Sequence, residues 1–166
     1  MYKIANGVRA LFLIFIGLLA HASQADVAGK VVQVADGDTI TVLDGNNQQY
    51  KVRLTGIDAP ERGQPFGTAS REHLAALVAG KQVVVDSDNR DRYGRLLGKV
   101  RVDGVDVNLE QLRAGMAWWY RYYAKTQPVA DRASYEAAED AARSSGTGLW
   151  SEPNPINPYD WRKGKR

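Results

Sequence analysis

The sequence predicts an α+β fold in which five strands close a small β-barrel and three helices pack against it. Three Asp-Gly pairs, Asp36-Gly37, Asp44-Gly45 and Asp103-Gly104, punctuate runs of alternating or β-branched residues. Five such runs are present, enough to close a small barrel. Helical periodicity appears in three segments, one after the third strand and two after the fifth.

In chain order, Lys30-Val31-Val32-Gln33-Val34 is the first strand. Asp36-Gly37 turns it into Thr39-Ile40-Thr41-Val42-Leu43, and Asp44-Gly45 turns that strand into Gln49-Tyr50-Lys51-Val52-Arg53-Leu54. Asp-Gly between such runs is a hairpin signal, because glycine takes positive φ without a Cβ clash. Gln82-Val83-Val84-Val85-Asp86 is a β-branched fourth strand, and Leu96 to Val102 is the fifth, followed by Asp103-Gly104. In the third strand Tyr50, Val52 and Leu54 share one face, and Lys51, Arg53 and Thr55 the other. If the apolar face fills the barrel, Arg53 projects outward, since an unpartnered guanidinium inside a small core is very costly.

The first helix runs from Pro65 to Ala79, with Leu74, Leu77 and Val78 on one face and Gly80 as a left-handed stop. In the second, Leu109, Leu112 and Met116 recur at helical spacing. Asn108 is its expected cap, Gln111 reciprocates, and Gly115 lies near its end. The third, from about Asp131 to Ser145, places Tyr135, Ala138 and Ala142 on one side and ends before Gly146.

Both ends differ in composition from this body. Lys3 and Arg9 precede an eleven-residue apolar run from Ala10 to Ala20, and small residues follow at Ala22, Ser23 and Ala25. That run is well short of the ~20 residues that cross a bilayer, so residues 1–25 read as an export signal cleaved after Ala22 or Ala25. The expected destination is the periplasm or the medium. Residues 26–152 form the folded domain, and residues 153–166 read as a Pro-rich, basic, mobile extension whose removal after Glu152 leaves the chemistry intact.

Composition narrows the chemistry. The chain has no cysteine, which excludes disulfides and thiolate metal sites. Of its two histidines, His21 lies in the export segment, so only His73 remains and a multi-histidine metal site is poorly supported. Removing Lys3 and Arg9 from the 22 basic residues leaves 20 against 19 acidic ones, a net charge of only +1. A nucleic-acid partner must therefore be argued from local clustering.

The clustering that matters is Ile57-Asp58-Ala59-Pro60-Glu61 together with Asp38, Arg53 and Arg95. Asp38 follows the Asp36-Gly37 turn, Arg53 lies on a strand, and Arg95 ends an Asp91-Arg92-Tyr93-Gly94-Arg95 turn. Carboxylates hold a hard cation and guanidinium forks clamp a phosphate, so the set points to metal-assisted phosphodiester cleavage. Arg90, Arg92, Lys51, Arg121 and Lys125 supply a candidate basic rim. In the run Trp118-Trp119-Tyr120-Arg121-Tyr122-Tyr123, the first three aromatics are expected to pack and Tyr123 to be exposed for stacking on bases.

These motifs closely resemble staphylococcal nuclease (thermonuclease-like) domains: Asp36-Gly37-Asp38-Thr39, the segment from Arg53 to Glu61, Asp91 to Arg95, and Gly148-Leu149-Trp150-Ser151-Glu152. The resemblance covers about residues 28 to 152. It implies an OB-fold barrel with three helices and calcium-dependent hydrolysis of DNA and RNA to 3′-phosphorylated products. It assigns Asp38, Asp58 and the Ala59 carbonyl to Ca2+, with alanine standing where the namesake enzyme has threonine. It assigns Arg53, Glu61 and Arg95 to catalysis, and Tyr93 and Tyr123 to the nucleotide. Arg121 stands where another tyrosine would be expected. The implied partner is DNA or RNA, single-stranded or locally open, bound by a monomer. The rival expectation is a non-catalytic OB-fold module that binds nucleic acid without cutting it.

Overall fold

The computed structural model describes residues 26–165, so the export-signal reading lies outside the described residues. The first three strands are β1 (Val27–Asp36), β2 (Thr39–Asp44) and β3 (Gln49–Leu54), joined by tight turns. A two-residue strand β4 (Ile57–Asp58) follows, then α1 (Gly67–Val78), β5 (Gln82–Arg90) and β6 (Leu96–Val102). The chain continues through β7 (Val105–Asp106), α2 (Val107–Arg113), β8 (Trp118–Trp119) and α3 (Val129–Ser144). It ends with a short helix α4 (Pro158–Arg162), beyond the three helices expected.

The strands lie in the order β3-β2-β1-β5-β6-β7, and β3 also pairs with β6. That last pairing is parallel, with Val52 opposite Leu96 and Leu54 opposite Gly98, and it closes the five expected strands into a barrel. Closure leaves these five strands no free edge. Val31, Ile40, Val42, Val52, Leu54, Val83, Val85 and Val100 are buried in one cluster with Leu74 and Val78 of α1 and Tyr135 of α3. Each such aliphatic side chain removed from water contributes roughly 1.5–3 kcal/mol.

Asn108 fastens the closing seam. It is fully buried, donates to the carbonyls of Thr55 (2.9 Å) and Gly98 (3.2 Å), and accepts from the Val100 amide (3.1 Å). It therefore does not cap α2. The cap is Asp106, whose side chain accepts from Leu109 N at 3.0 Å. Gln111 does not complete a capping box either; it is buried and donates to the Gly37 carbonyl at 2.7 Å.

The Asp-Gly turns close by different means. Gly104 takes the expected positive φ of +81°, but in the β2–β3 turn it is Asn47 that does so, at +61°. There Asp44 Oδ1 accepts from the amides of Asn46 and Gln48, holding the turn from within. At Gly37 the requirement is space: a Cβ there would lie 1.9 Å from Ser70 Oγ of α1.

Candidate active site

Asp38 is held where β1 turns into β2. Its amide donates to Asp36 Oδ1, and its carbonyl accepts from Leu54 N at 2.8 Å, tying the turn to β3. Its carboxylate points inward and is only 6% exposed with its residue. Oδ1 accepts from the Thr39 hydroxyl (3.0 Å) and Oδ2 from the Ala59 amide (2.8 Å). Burial pushes the Asp38 carboxyl up to about 7; Arg53 opposes this, while Asp36 and Asp58 add to it.

Arg53 sits where alternation placed it, outward of the barrel between buried Val52 and Leu54. Nη1 donates to the carbonyls of Leu54 (2.8 Å) and Ile57 (3.0 Å). Nη2 donates to Asp58 Oδ1 (2.9 Å) and lies 3.1 Å from Asp38 Oδ2. One nitrogen thus touches both aspartates, so the two carboxylates converge on a single point. The planar fork fixes this geometry in a way that a lysine would not.

Asp58 and Ala59 reach that point because β4 pairs with β8, with Ile57 opposite Trp119 and Asp58 opposite Trp118. The pair is anchored from α3: Glu139, fully buried, accepts the Trp119 amide at 3.0 Å and also holds Arg121. Past Pro60 the chain turns over Gln64, whose side-chain oxygen accepts the Glu61 amide (3.1 Å), and Glu61 emerges at the rim with 41% of its side chain exposed.

Arg95 and its neighbours form the second part of the site. Asp91 Oδ1 accepts the amides of Tyr93 (2.9 Å) and Arg95 (3.0 Å), and Oδ2 accepts Arg95 Nε at 2.7 Å. Burial pushes the Asp91 carboxyl up, but these donors outweigh it and hold the group below the usual carboxylate range. Arg95 immediately precedes Leu96, and the register sets Leu97 opposite Arg53. Alternation therefore turns Arg95 to the same outer wall as Arg53. Tyr93 is exposed, with the guanidinium groups of Arg92 and Arg95 at 4.8 and 5.7 Å from its ring centre.

The expected residues thus fall into two groups. Asp38, Arg53, Asp58 and Ala59 touch one another, with Glu61 at their edge; Arg92, Tyr93 and Arg95 sit together at the β5–β6 turn. Tyr123 is exposed on the 3-10 turn Arg121–Thr126, packed edge-on against Tyr120 (5.3 Å) and Tyr122 (5.0 Å). Trp118 and Trp119 are buried, as expected. Arg121 is not part of a basic rim: it stacks on Trp119 at 4.6 Å and pairs with Glu139.

The donor set suits a hard cation. Asp38, Asp58 and Glu61 offer only oxygen, the donor type that a hard cation prefers, and Arg53 and Arg162 balance these carboxylates. Among the described residues no group of three or more His, Cys, Asp or Glu could hold a metal by side chains alone. Two aspartates would therefore need a backbone carbonyl and water to complete a shell, a composition calcium accepts. The residues fit such an ion.

Residues 51–152 match the family described as staphylococcal nuclease homologue. The chain belongs to the staphylococcal nuclease family. An uncharacterized endonuclease of Escherichia coli is 45% identical over 142 residues, covering 85% of this chain and 88% of that one. An uncharacterized endonuclease of Haemophilus influenzae is 40% identical over 154 residues (93% and 83%), and a micrococcal nuclease of Shigella flexneri 39% over 168 residues (96% and 94%). The barrel is the OB-fold that the motifs implied.

Within this staphylococcal nuclease fold the site extends beyond the matched segment at both ends. Asp38 precedes it. After it comes a residue that the sequence reading missed: Arg162 of α4 donates to both oxygens of Asp58 and to Glu61. Two other contributors were also passed over. Tyr120 packs near Asp58; burial raises its hydroxyl pKa, and the Asp58 charge raises it further. Glu139 falls on the α3 face that carries Tyr135 and Ala142, and its helical spacing from both was the available signal.

Proposed function

We propose that this chain, a nuclease that hydrolyses phosphodiester esters, is calcium-dependent, cleaves DNA and RNA to 3′-phosphorylated products, and acts as an exported monomer. The observation that carries the reading is the convergence of Asp38 and Asp58 on one nitrogen of Arg53, at 3.1 and 2.9 Å, beside Glu61. Asp38, Asp58 and the Ala59 carbonyl would hold the ion; when bound, it draws charge off the phosphate.

The chain's own residues supply the rest. Ala59 is buried and Pro60 fixes its own φ, so this strand exit keeps its carbonyl and the Asp58 carboxylate in place with little entropy to lose. Arg53, braced by two carbonyls, presents a preorganised fork to the phosphate oxygens. Arg95, braced by Asp91, adds a second guanidinium as charge builds. Glu61, at the solvent rim, accepts a proton from the attacking water or orients that water by hydrogen bonding. Tyr93, Arg92 and Tyr123 contact the nucleotide: the tyrosines offer sequence-tolerant stacking, at roughly 1–3 kcal/mol per base, suited to single-stranded or open substrate.

The test is degradation of single-stranded DNA, duplex DNA and RNA by purified protein with calcium and then with chelator. Calcium-restored cleavage leaving 3′-phosphate ends supports the reading. Binding without cleavage would favour the OB-fold binding module instead. Export is tested by the mass of the protein recovered from the cell envelope or medium: loss of the first 22 or 25 residues supports it, and intact cytoplasmic protein sinks it.

A further inference from the structure

The C-terminal segment is built to return to the site. Asn157 caps α4, accepting the Asp160 amide at 2.8 Å, and Pro158 takes the first helical position. The approach is fastened by Gln64 Nε2, which donates to the Ile156 carbonyl at 2.5 Å. Pro155, Ile156 and Trp161 from the tail line one small cleft with Phe66, Trp118 and Leu149 from the body. The segment is thus docked on the body of the domain and is not the free extension that its proline content suggested.

Its last helical residue meets the catalytic carboxylates. Arg162 Nη2 lies 3.0 Å from Asp58 Oδ2, and Nη1 lies 3.3 Å from Asp58 Oδ1 and 2.6 Å from Glu61 Oε1. Asp58 Oδ1 also accepts from Arg53, so both oxygens of this buried carboxylate are engaged by guanidinium. A divalent ion on Asp58 would set like charge beside Arg162 on the same two oxygens, while Glu61 would keep Oε1 engaged by the guanidinium.

We propose that Arg162 is an active-site residue that acts as a tethered counter-cation. It occupies the Asp58 and Glu61 carboxylates in the resting chain, and a divalent ion must displace it, and α4 with it, to load the site. The proposal rests on the reading that Asp58 helps to hold the ion. It makes the tail a competitor whose local concentration is fixed by its tether. It also means that Glu61 is released for its role only once the ion is in place.

The experiment is calorimetric titration of calcium into chelator-stripped wild-type and Arg162→Gln protein, with hydrogen exchange of residues 153–165 followed in parallel. Losing the competing, half-exposed ion pairs should tighten calcium roughly fivefold in Arg162→Gln. In the wild type, calcium should speed amide exchange around Trp161 and Lys163. Equal calcium affinities, with tail protection undiminished by the ion, would overturn the counter-cation role while leaving the calcium reading intact. Absence of calcium binding from both proteins would remove the calcium reading and the counter-cation role together.

Discussion

Replacing Glu139 by Ala should cost this protein a measurable part of its stability and, through that, its site. Glu139 is wholly buried on α3, where its carboxylate accepts from Trp119 and Arg121. It holds the Trp119 amide at 3.0 Å, and Trp119 is the partner of Ile57 in the two-residue ribbon that carries Asp58. Truncation leaves that amide buried and unpaired, which costs ~1–3 kcal/mol. Arg121 and Arg143, 48% and 46% exposed, can rehydrate when their partner is lost. Each of those pairs therefore contributes no more than ~1 kcal/mol. The sum, about 1–5 kcal/mol, lowers Tm by roughly 3–18 °C in a domain of this size. Glu139→Gln keeps an oxygen for the Trp119 amide and loses only the charge, so it should lose ~1 kcal/mol. The assay is thermal unfolding by circular dichroism, with calcium affinity measured well below both midpoints. If Glu139→Ala melts with the wild type, or if the two variants melt together, the amide is not the bond that matters and the reasoning fails.

The catalytic assignments give three further expectations. Glu61→Gln should slow cleavage by about 10²–10⁴ if Glu61 removes a proton, and near-full activity in steady-state assays would take it out of the catalytic set. Arg95→Ala should lower kcat by a similar or larger factor; a change confined to KM would make it a binding residue. Arg53→Lys keeps the charge but not the fork braced by the Leu54 and Ile57 carbonyls, and kcat should fall by roughly 10²–10³, whereas an unchanged rate would show that charge alone suffices.

The parts of this molecule that were legible in its sequence are those whose cause is local. Alternation in Gln49 to Leu54 placed Arg53 outside, because period two is a property of any strand. The face of Tyr135, Ala138 and Ala142 located α3 for the same kind of reason. What escaped was set by tertiary partners. Asn108 looked like a cap from its position ahead of Leu109, but barrel closure brings the Thr55 and Gly98 carbonyls to it, and those bonds win. Asp106 then caps in its place. Arg162 was illegible as a site residue, since Asp58 lies 104 positions earlier in the chain. Only the helix that carries it had a signal, an Asn157-Pro158 start that the surrounding prolines masked.

The pairing of these charges bears on whether the fold needs its ion. Small metal-nucleated domains are unfolded without metal because their ligands have no other partner. Here the metal-free chain already offers Arg53 to both aspartates and Arg162 to Asp58 and Glu61. The barrel core, moreover, is mostly aliphatic and is buried by the closed strands and the helices packed on them, which needs no ion. Chelator-stripped protein should therefore keep its circular dichroism spectrum and unfold in one cooperative step. Calcium at about a hundred times its Kd should add ~2.7 kcal/mol, or roughly 10 °C in Tm, by mass action alone. An ion that has to dislodge Arg162 has that cost already included in its Kd, so at fixed total calcium Arg162→Gln should show the larger upward shift. A chelated protein that loses its fold would mean that Arg53 and Arg162 do not balance the buried carboxylates, whatever their distances.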